Sequence, residues 1–153
     1  MAGSLEIRSN FPWPSCALSN FAKHPFIMDG YEFGGMEGFL QGCKVQNHEH
    51  QKRIFKLAGL SAMEAGRAFS SRTTKGTLFY NGHPFSRFSP YWKKLYSAAY
   101  KQCALQNEGF RRALIATGSK ELRHTLPASY NEEKTILTER EFIEILTHIR
   151  SLL

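Results

Sequence analysis

Cysteine is scarce in this chain of 153 residues, and the three present, Cys16, Cys43 and Cys103, are far apart. No pair has C-x-x-C spacing, so the sequence indicates neither a disulfide framework nor a zinc site. No apolar run approaches the length needed to cross a bilayer, so no membrane partner is expected. The start, Met1-Ala2-Gly3-Ser4, has neither a basic-then-apolar leader nor glycine at position 2. A reducing, cytoplasmic compartment is the expectation. His48-Glu49-His50 has the wrong spacing for H-E-x-x-H, and the chain has no G-x-S-x-G elbow or Walker loop. Metal, serine-hydrolase and kinase chemistry are therefore disfavoured, and no cofactor is expected. With no linker, repeat or low-complexity tract, residues 1–153 read as a single domain.

What is present suits a packed core. Apolar residues make up 42% of the chain and aromatic residues 13%, including twelve Phe. A chain of this length buries about 68–70% of its unfolded surface. The net charge of +7 favours an anionic partner, either nucleic acid or a phosphorylated metabolite. Many basic proteins bind neither, so charge alone gives only a modest lean.

Local patterns predict a strand-like N-terminal third followed by helices. Pro25-Phe26-Ile27-Met28 and Tyr31-Glu32-Phe33 flank Asp29-Gly30, a hairpin signal. Met36, Phe39, Leu40 and Cys43 recur with helical spacing behind Gly35, a serviceable N-cap. Ser61 and Glu64 read as a capping box opening a short helix to about Phe69. Residues 70–90 look irregular, apart from an Asn81-Gly82 turn whose second strand Pro84 confines to an edge. Ser89-Pro90 starts a helix running to about Gln106. Another helix spans roughly Phe110 to Thr117 and stops at Gly118. Thr138 and Glu141 form a second capping box, and Phe142, Leu146, Ile149 and Leu153 line the helix after it. The expected fold is mainly α, a compact multihelical single domain with a small N-terminal β-hairpin element (α+β).

Four groups of residues carry chemical possibilities. Glu37, Gln41 and Lys44 share one helical stripe within roughly 60°. His48 joins them if the helix continues. In a pocket, desolvation would free a neutral Lys44 amine to attack electrophilic carbon, while Glu37 moves protons and Gln41 holds a hydroxyl. The plainer alternative is a solvated face, which periodicity alone favours. Leu18-Ser19-Asn20-Phe21 reads as a turn with a core ring. Its functional version has Asn20 bonding a ligand and Phe21 stacking on a base. In Ala65-Gly66-Arg67, either the guanidinium forks onto phosphate or Gly66 merely permits close packing. Residues 72–94 interleave Arg72, Lys75, Arg87, Lys93 and Lys94 with six aromatics. That pattern fits either a nucleotide surface or a long loop tucked onto the core.

Taken in order, these stretches resemble the NADAR family, also called YbiA-like. They are Leu18-Ser19-Asn20-Phe21, the Asp29-Gly30 turn, Glu37-x-x-x-Gln41-x-x-Lys44, Ala65-Gly66-Arg67, Trp92, and the segment from Arg112 to Gly118 with Leu122. The resemblance implies a compact, mostly helical enzyme that hydrolyses N-glycosidic bonds. It implies a Schiff base from Lys44 to the ribose anomeric carbon, with proton transfer by Glu37. Asn20, Phe21, Gln41, Gly66, Arg67 and Trp92 would then bind substrate. The implied substrates are ADP-ribose on guanine in DNA or, alternatively, ribosylamine phosphates of the early riboflavin pathway. The chain also departs from the family. Gly38 replaces the usual His after the motif glutamate, and His124 stands where an acid is common. The Trp-Gly and Asn-x-Leu-Gly signatures are missing around residues 130–137, and the stretch between Arg67 and Trp92 is long. These changes leave a third possibility, a non-catalytic module binding ADP-ribose or nucleic acid.

Overall fold

The computed structural model of the chain describes residues 2–69, 75–126 and 135–153. Among these, strands pair two by two. β1 (Ser4–Glu6) runs parallel to β6 (Glu121–Arg123). β2 (Phe26–Met28) and β3 (Tyr31–Phe33) form one antiparallel hairpin, and β4 (Thr77–Tyr80) and β5 (His83–Ser86) form another. Both hairpins turn on two left-handed residues, Asp29 and Gly30 (φ 52° and 79°) and Asn81 and Gly82 (φ 52° and 80°). Asx-Gly tolerates that backbone, and its twist matches the strands it joins.

The helices are α1 (Ser15–Leu18), α2 (Met36–Gly42), α3 (His48–Phe55), α4 (Gly59–Gly66), α5 (Pro90–Gln106), α6 (Glu108–Ala116) and α7 (Glu139–Ser151). A 3₁₀ turn, Arg67–Phe69, extends α4. The mainly helical α+β architecture matches the sequence expectation, but some details differ. The Ser61-Glu64 capping box does not form. Helix α4 begins at Gly59 behind Ala58, and the Ser61 hydroxyl donates instead to the Ala58 carbonyl, 2.9 Å away. Helix α6 starts two residues earlier than expected. Leu153 lies beyond α7 and is 48% exposed, so the buried face of α7 is Phe142, Ile145, Leu146 and Ile149. The Thr138-Glu141 box is present in both directions, at 3.1 and 2.9 Å.

The core centres on aromatic rings. Phe39 of α2 stacks on Trp92 of α5 with centroids 5.8 Å apart and planes 6° from parallel. Trp92 is 1% exposed, and its indole N–H donates to the Ile136 carbonyl at 3.0 Å. Trp92 is therefore a core residue with its one donor already satisfied, which corrects its expected place among the substrate-binding side chains.

The basic aromatic stretch also divides. Tyr80 and Trp92 are buried, while Phe88 and Tyr91 are exposed. Arg72 lies outside the described residues. Arg87 is 4% exposed and pairs with Glu141 at 2.8 Å, while its Nε donates to the Thr135 carbonyl at 2.6 Å. This guanidinium ties the β5 end to the start of α7. Removing one partner of a buried pair strands the other charge. Arg87→Ala is expected to lower unfolding free energy by about 3 kcal/mol, measured by chemical denaturation.

Candidate active site

The turn at residues 19–21 and helix α2 build the site together. The Ser19 hydroxyl accepts from the Phe21 N–H at 3.1 Å, closing a tight turn. The Asn20 carbonyl then accepts from the Glu37 N–H at 3.1 Å, satisfying a donor in the first turn of α2. The Asn20 side-chain oxygen accepts from the Tyr100 hydroxyl at 2.6 Å. Burial, and next the Glu37 charge, push the Tyr100 phenol well above its ordinary pKa, so it stays a donor. Asn20 is thus fixed from both ends.

Helix α2 is shorter than its hydrophobic spacing suggests. It ends at Gly42, and the Lys44 N–H folds back to the Gln41 carbonyl at 3.2 Å. Lys44 therefore lies just past the helix end. His48 does not extend the stripe. It begins α3, with its ring 6.0 Å from that of Tyr31.

Glu37, Gln41 and Lys44 are only 8%, 7% and 9% exposed, which excludes the solvated-face alternative. Two close approaches enclose them. Gly38 packs on backbone carbonyls at the α3–α4 junction, and a Cβ there would overlap Leu57 O and lie 2.6 Å from Phe55 O. The His expected after the motif glutamate cannot fit such a contact. Gly66 packs directly on Gln41, and any Cβ would overlap its side-chain oxygen. Gly66 thus brings α4 against the polar stripe. Arg67 follows with an exposed side chain.

The Gln41 amide donates to the Glu37 carboxylate at 2.8 Å. The other end of that amide, Gln41 Oε1, is buried and has no hydrogen-bond partner among the described residues. Burial raises the Glu37 pKa, opposed first by the Gln41 hydrogen bond and then by the Lys44 charge. Burial lowers the Lys44 pKa, opposed by Glu37. Desolvation thus favours the neutral acid and the neutral amine over the ion pair.

The two shifts have opposite proton linkage. A carboxyl with a raised folded pKa contributes stability below its unfolded value, about 4.3, and loses it as pH rises through the folded value. An amine with a lowered folded pKa contributes stability above about 10.4 and loses it as pH falls through the folded value. Near neutrality, therefore, both groups are held at a cost. The melting-temperature difference between Glu37→Gln and wild type is expected to grow as pH rises from about 4 to about 8. Thermal scans across that range check it. A flat or falling difference contradicts a raised Glu37 pKa.

Glu37 opens into a cleft of about 240 Å³ whose wall is formed by residues 8–10 and 19–21 together with Glu37, His124 and Phe142. Asn20, Phe21 and Glu37 thus meet in one concavity, while Gln41 and Lys44 are buried and not on its wall. His124 Nδ1 lies 2.9 Å from the Ile7 carbonyl. A carbonyl only accepts, so Nδ1 carries the hydrogen and Nε2 of the neutral ring is an acceptor. Sequence pattern offers a hint of His124 through its position after Leu122. It offers none of Arg8, Ser9 and Asn10, which precede the first recognisable stretch.

A larger cleft of about 580 Å³ lies between the starts of α5 and α7, lined by Arg87, Phe88, Lys93 and Arg140 among others, and holds neither Glu37 nor Lys44. Among the described residues no group of three or more His, Cys, Asp or Glu side chains is placed to hold a metal ion. Burial raises the Cys43 thiol well above its ordinary pKa and pushes Cys103 up to about 12, so neither is a ready nucleophile. No described helix is long and apolar enough to cross a membrane.

This architecture is similar to that of the Escherichia coli protein YbiA, known from an NMR structure. The TM-score is 0.67 over 99% of this chain and 85% of that one, at 16% identity, a likeness of fold alone. At the level of sequence, residues 12–151 match the family described as bacteriophage protein GP30.3, and the chain belongs to that family. A relative from Enterobacteria phage T4, described as "Uncharacterized 17.1 kDa protein in Gp30-rIII intergenic region", is 59% identical over 146 residues. That alignment covers 95% of this chain and 96% of the relative.

Proposed function

We propose that the protein is an N-glycosidase that acts on a ribosyl–base bond through Lys44, and that its substrate is ADP-ribose attached to a nucleobase, guanine in DNA. The observation that carries this reading is the burial of Glu37, Gln41 and Lys44 along α2, from its first turn to just past its last residue, with Glu37 opening into a cleft. A protein gains no stability from sequestering a carboxyl and an amine it could leave in water. The directions of the two shifts, Glu37 upward and Lys44 downward, fit groups adjusted for proton transfer and nucleophilic attack. The YbiA-like fold and the motif order support the glycosidase class.

In the proposed reaction the Lys44 nitrogen attacks the ribose anomeric carbon. The carbon–base bond breaks with its electron pair going to the base, and Glu37 in its acid form supplies the proton that lets the base leave. The attacking amine loses its proton as the imine forms. The ring oxygen departs from the same carbon and takes up a proton. Water then adds to the imine, releasing the sugar and regenerating the amine. The positive charge on carbon is greatest as the base departs, where the Glu37 carboxylate formed in that step stabilises it. Asn20 and Phe21 would hold the substrate in the cleft, and Gln41 would orient Glu37. Next to Gly66, Arg67 would meet phosphate.

The test is free-guanine release from an ADP-ribosylated DNA oligonucleotide, beside a panel of small N-ribosides that includes riboflavin-pathway ribosylamine phosphates. Release from the oligonucleotide supports the substrate assignment. Release only from a small riboside moves the substrate and keeps the class. ADP-ribose binding without turnover of any glycoside overturns the enzyme reading.

A further inference from the structure

We propose that Phe11 and Trp13 form a stacking lip that grips a base of a single-stranded nucleic acid beside the Glu37 cleft, an inference that rests on the glycosidase reading above. Whole small-molecule ligands usually occupy pockets of roughly 300–1,000 Å³. The cleft, at about 240 Å³, is smaller, so a nucleotide-sized substrate must extend past its mouth. Its wall uses residues 8–10 and residues 19–21, and the chain between them leaves the wall and returns to it. That excursion carries Phe11, 40% exposed, and Trp13, 57% exposed. Neither ring belongs to the hydrophobic core cluster.

Three features select a nucleic acid as the occupant. Phe11 and Trp13 follow directly in the chain on Arg8, Ser9 and Asn10, polar residues of the cleft wall, and are the only exposed large hydrophobic residues between positions 8 and 21, not the continuous apolar patch that a protein partner buries. Pro12 and Pro14 flank Trp13 and fix their own φ angles, so ordering this loop on a ligand costs little entropy. The chain carries a net charge of +7, with Lys23 and Arg123 exposed close in sequence to the cleft residues Phe21 and His124. Aromatic faces stack on any base while cations meet the backbone, which is how single strands are held without reading sequence.

The protein has only two tryptophans, and the other, Trp92, is buried, so acrylamide-quenchable emission reports on Trp13. The experiment titrates full-length protein with an unmodified single-stranded DNA oligonucleotide at fixed salt. It follows Trp13 emission and, with labelled DNA, anisotropy. Saturable quenching of Trp13 is expected. The double variant Phe11→Ala/Trp13→Ala, which removes two exposed rings, should bind about tenfold weaker or worse. Equal affinity of the variant and wild type, no binding by wild type, or unchanged Trp13 accessibility at saturation overturns the proposal. A dimer in sedimentation that the double variant dissolves also overturns it, because the lip would then serve self-association. Binding is measured on Lys44→Met protein as well. If both bind DNA through the lip yet wild type cleaves no glycoside, the enzyme reading falls and the lip stands. If wild type cleaves but never binds the strand, the reverse holds.

Discussion

Lys44→Met abolishes N-glycoside turnover, by roughly 10³-fold or more, while the protein stays folded and is as stable as wild type or slightly more stable near neutral pH. Methionine fills nearly the same volume as the lysine stem and has no amine. The side chain is 9% exposed, so the ammonium is largely stripped of water, and burial already lowers its pKa. Replacing it removes a desolvation cost, and Glu37, whose pKa burial raises, can take up a proton in place of its lost counter-charge. A purely structural lysine behaves in the opposite way. Its loss would lower the melting temperature and leave chemistry to be measured on a damaged fold. Lys44→Arg separates charge from nucleophilicity, because a guanidinium keeps the cation but offers no neutral amine. It should be as inactive as Lys44→Met and less stable. Steady-state rates with circular-dichroism melts on the three proteins give the answer. Undiminished turnover in Lys44→Met ends the imine mechanism.

Gly38→Ala, far from an innocuous change, costs about 3 kcal/mol and lowers the melting temperature by roughly 10 °C. Glycine here lets α2 lie against the backbone carbonyls of Leu57 and Phe55. A methyl group meets main chain, which cannot rotate away as a side chain can. The loss also reaches the site, because the same contact seats Glu37 one residue earlier. Gly38→His, which writes in the residue the resembled family usually carries, is expected to yield little folded protein. Differential scanning calorimetry of both variants checks the series. A melting temperature within 2 °C of wild type for Gly38→Ala, less than about 1 kcal/mol, contradicts the packing account.

These two predictions also mark how far the sequence could be read. The Asp29-Gly30 and Asn81-Gly82 hairpins, the Ser89-Pro90 start of α5 and the Thr138 capping box were legible because each depends on two to four neighbouring residues with a local physical cause. The β1–β6 pairing was not. Ser4 and Glu121 are partners across most of the chain, and three-residue strands are too short to show a period. Ser61 failed as a cap because a residue type that suits an N-terminus does not require one, and Gly59, at φ 54°, set the chain into α4 earlier.

Periodicity could place Glu37, Gln41 and Lys44 on one stripe but not say whether water reached it. That depended on Gly38 and Gly66 admitting two other segments at close range, a fact of tertiary packing. Only the resemblance pointed past the solvated alternative. Trp92 shows the converse: a residue carried over with a motif turns out to stack on Phe39 in the core. Arg8, Ser9 and Asn10 had no pattern to betray them, since their role follows from where α1 returns the chain.

Borohydride reduction of wild-type protein during turnover of an ADP-ribosylated guanine oligonucleotide, followed by peptide mass spectrometry, bears most directly on the central claim. A reduced sugar adduct on the peptide containing Lys44, absent from Lys44→Met, is the predicted result. Guanine release that proceeds with no adduct on Lys44, and equally fast in Lys44→Met, would contradict it.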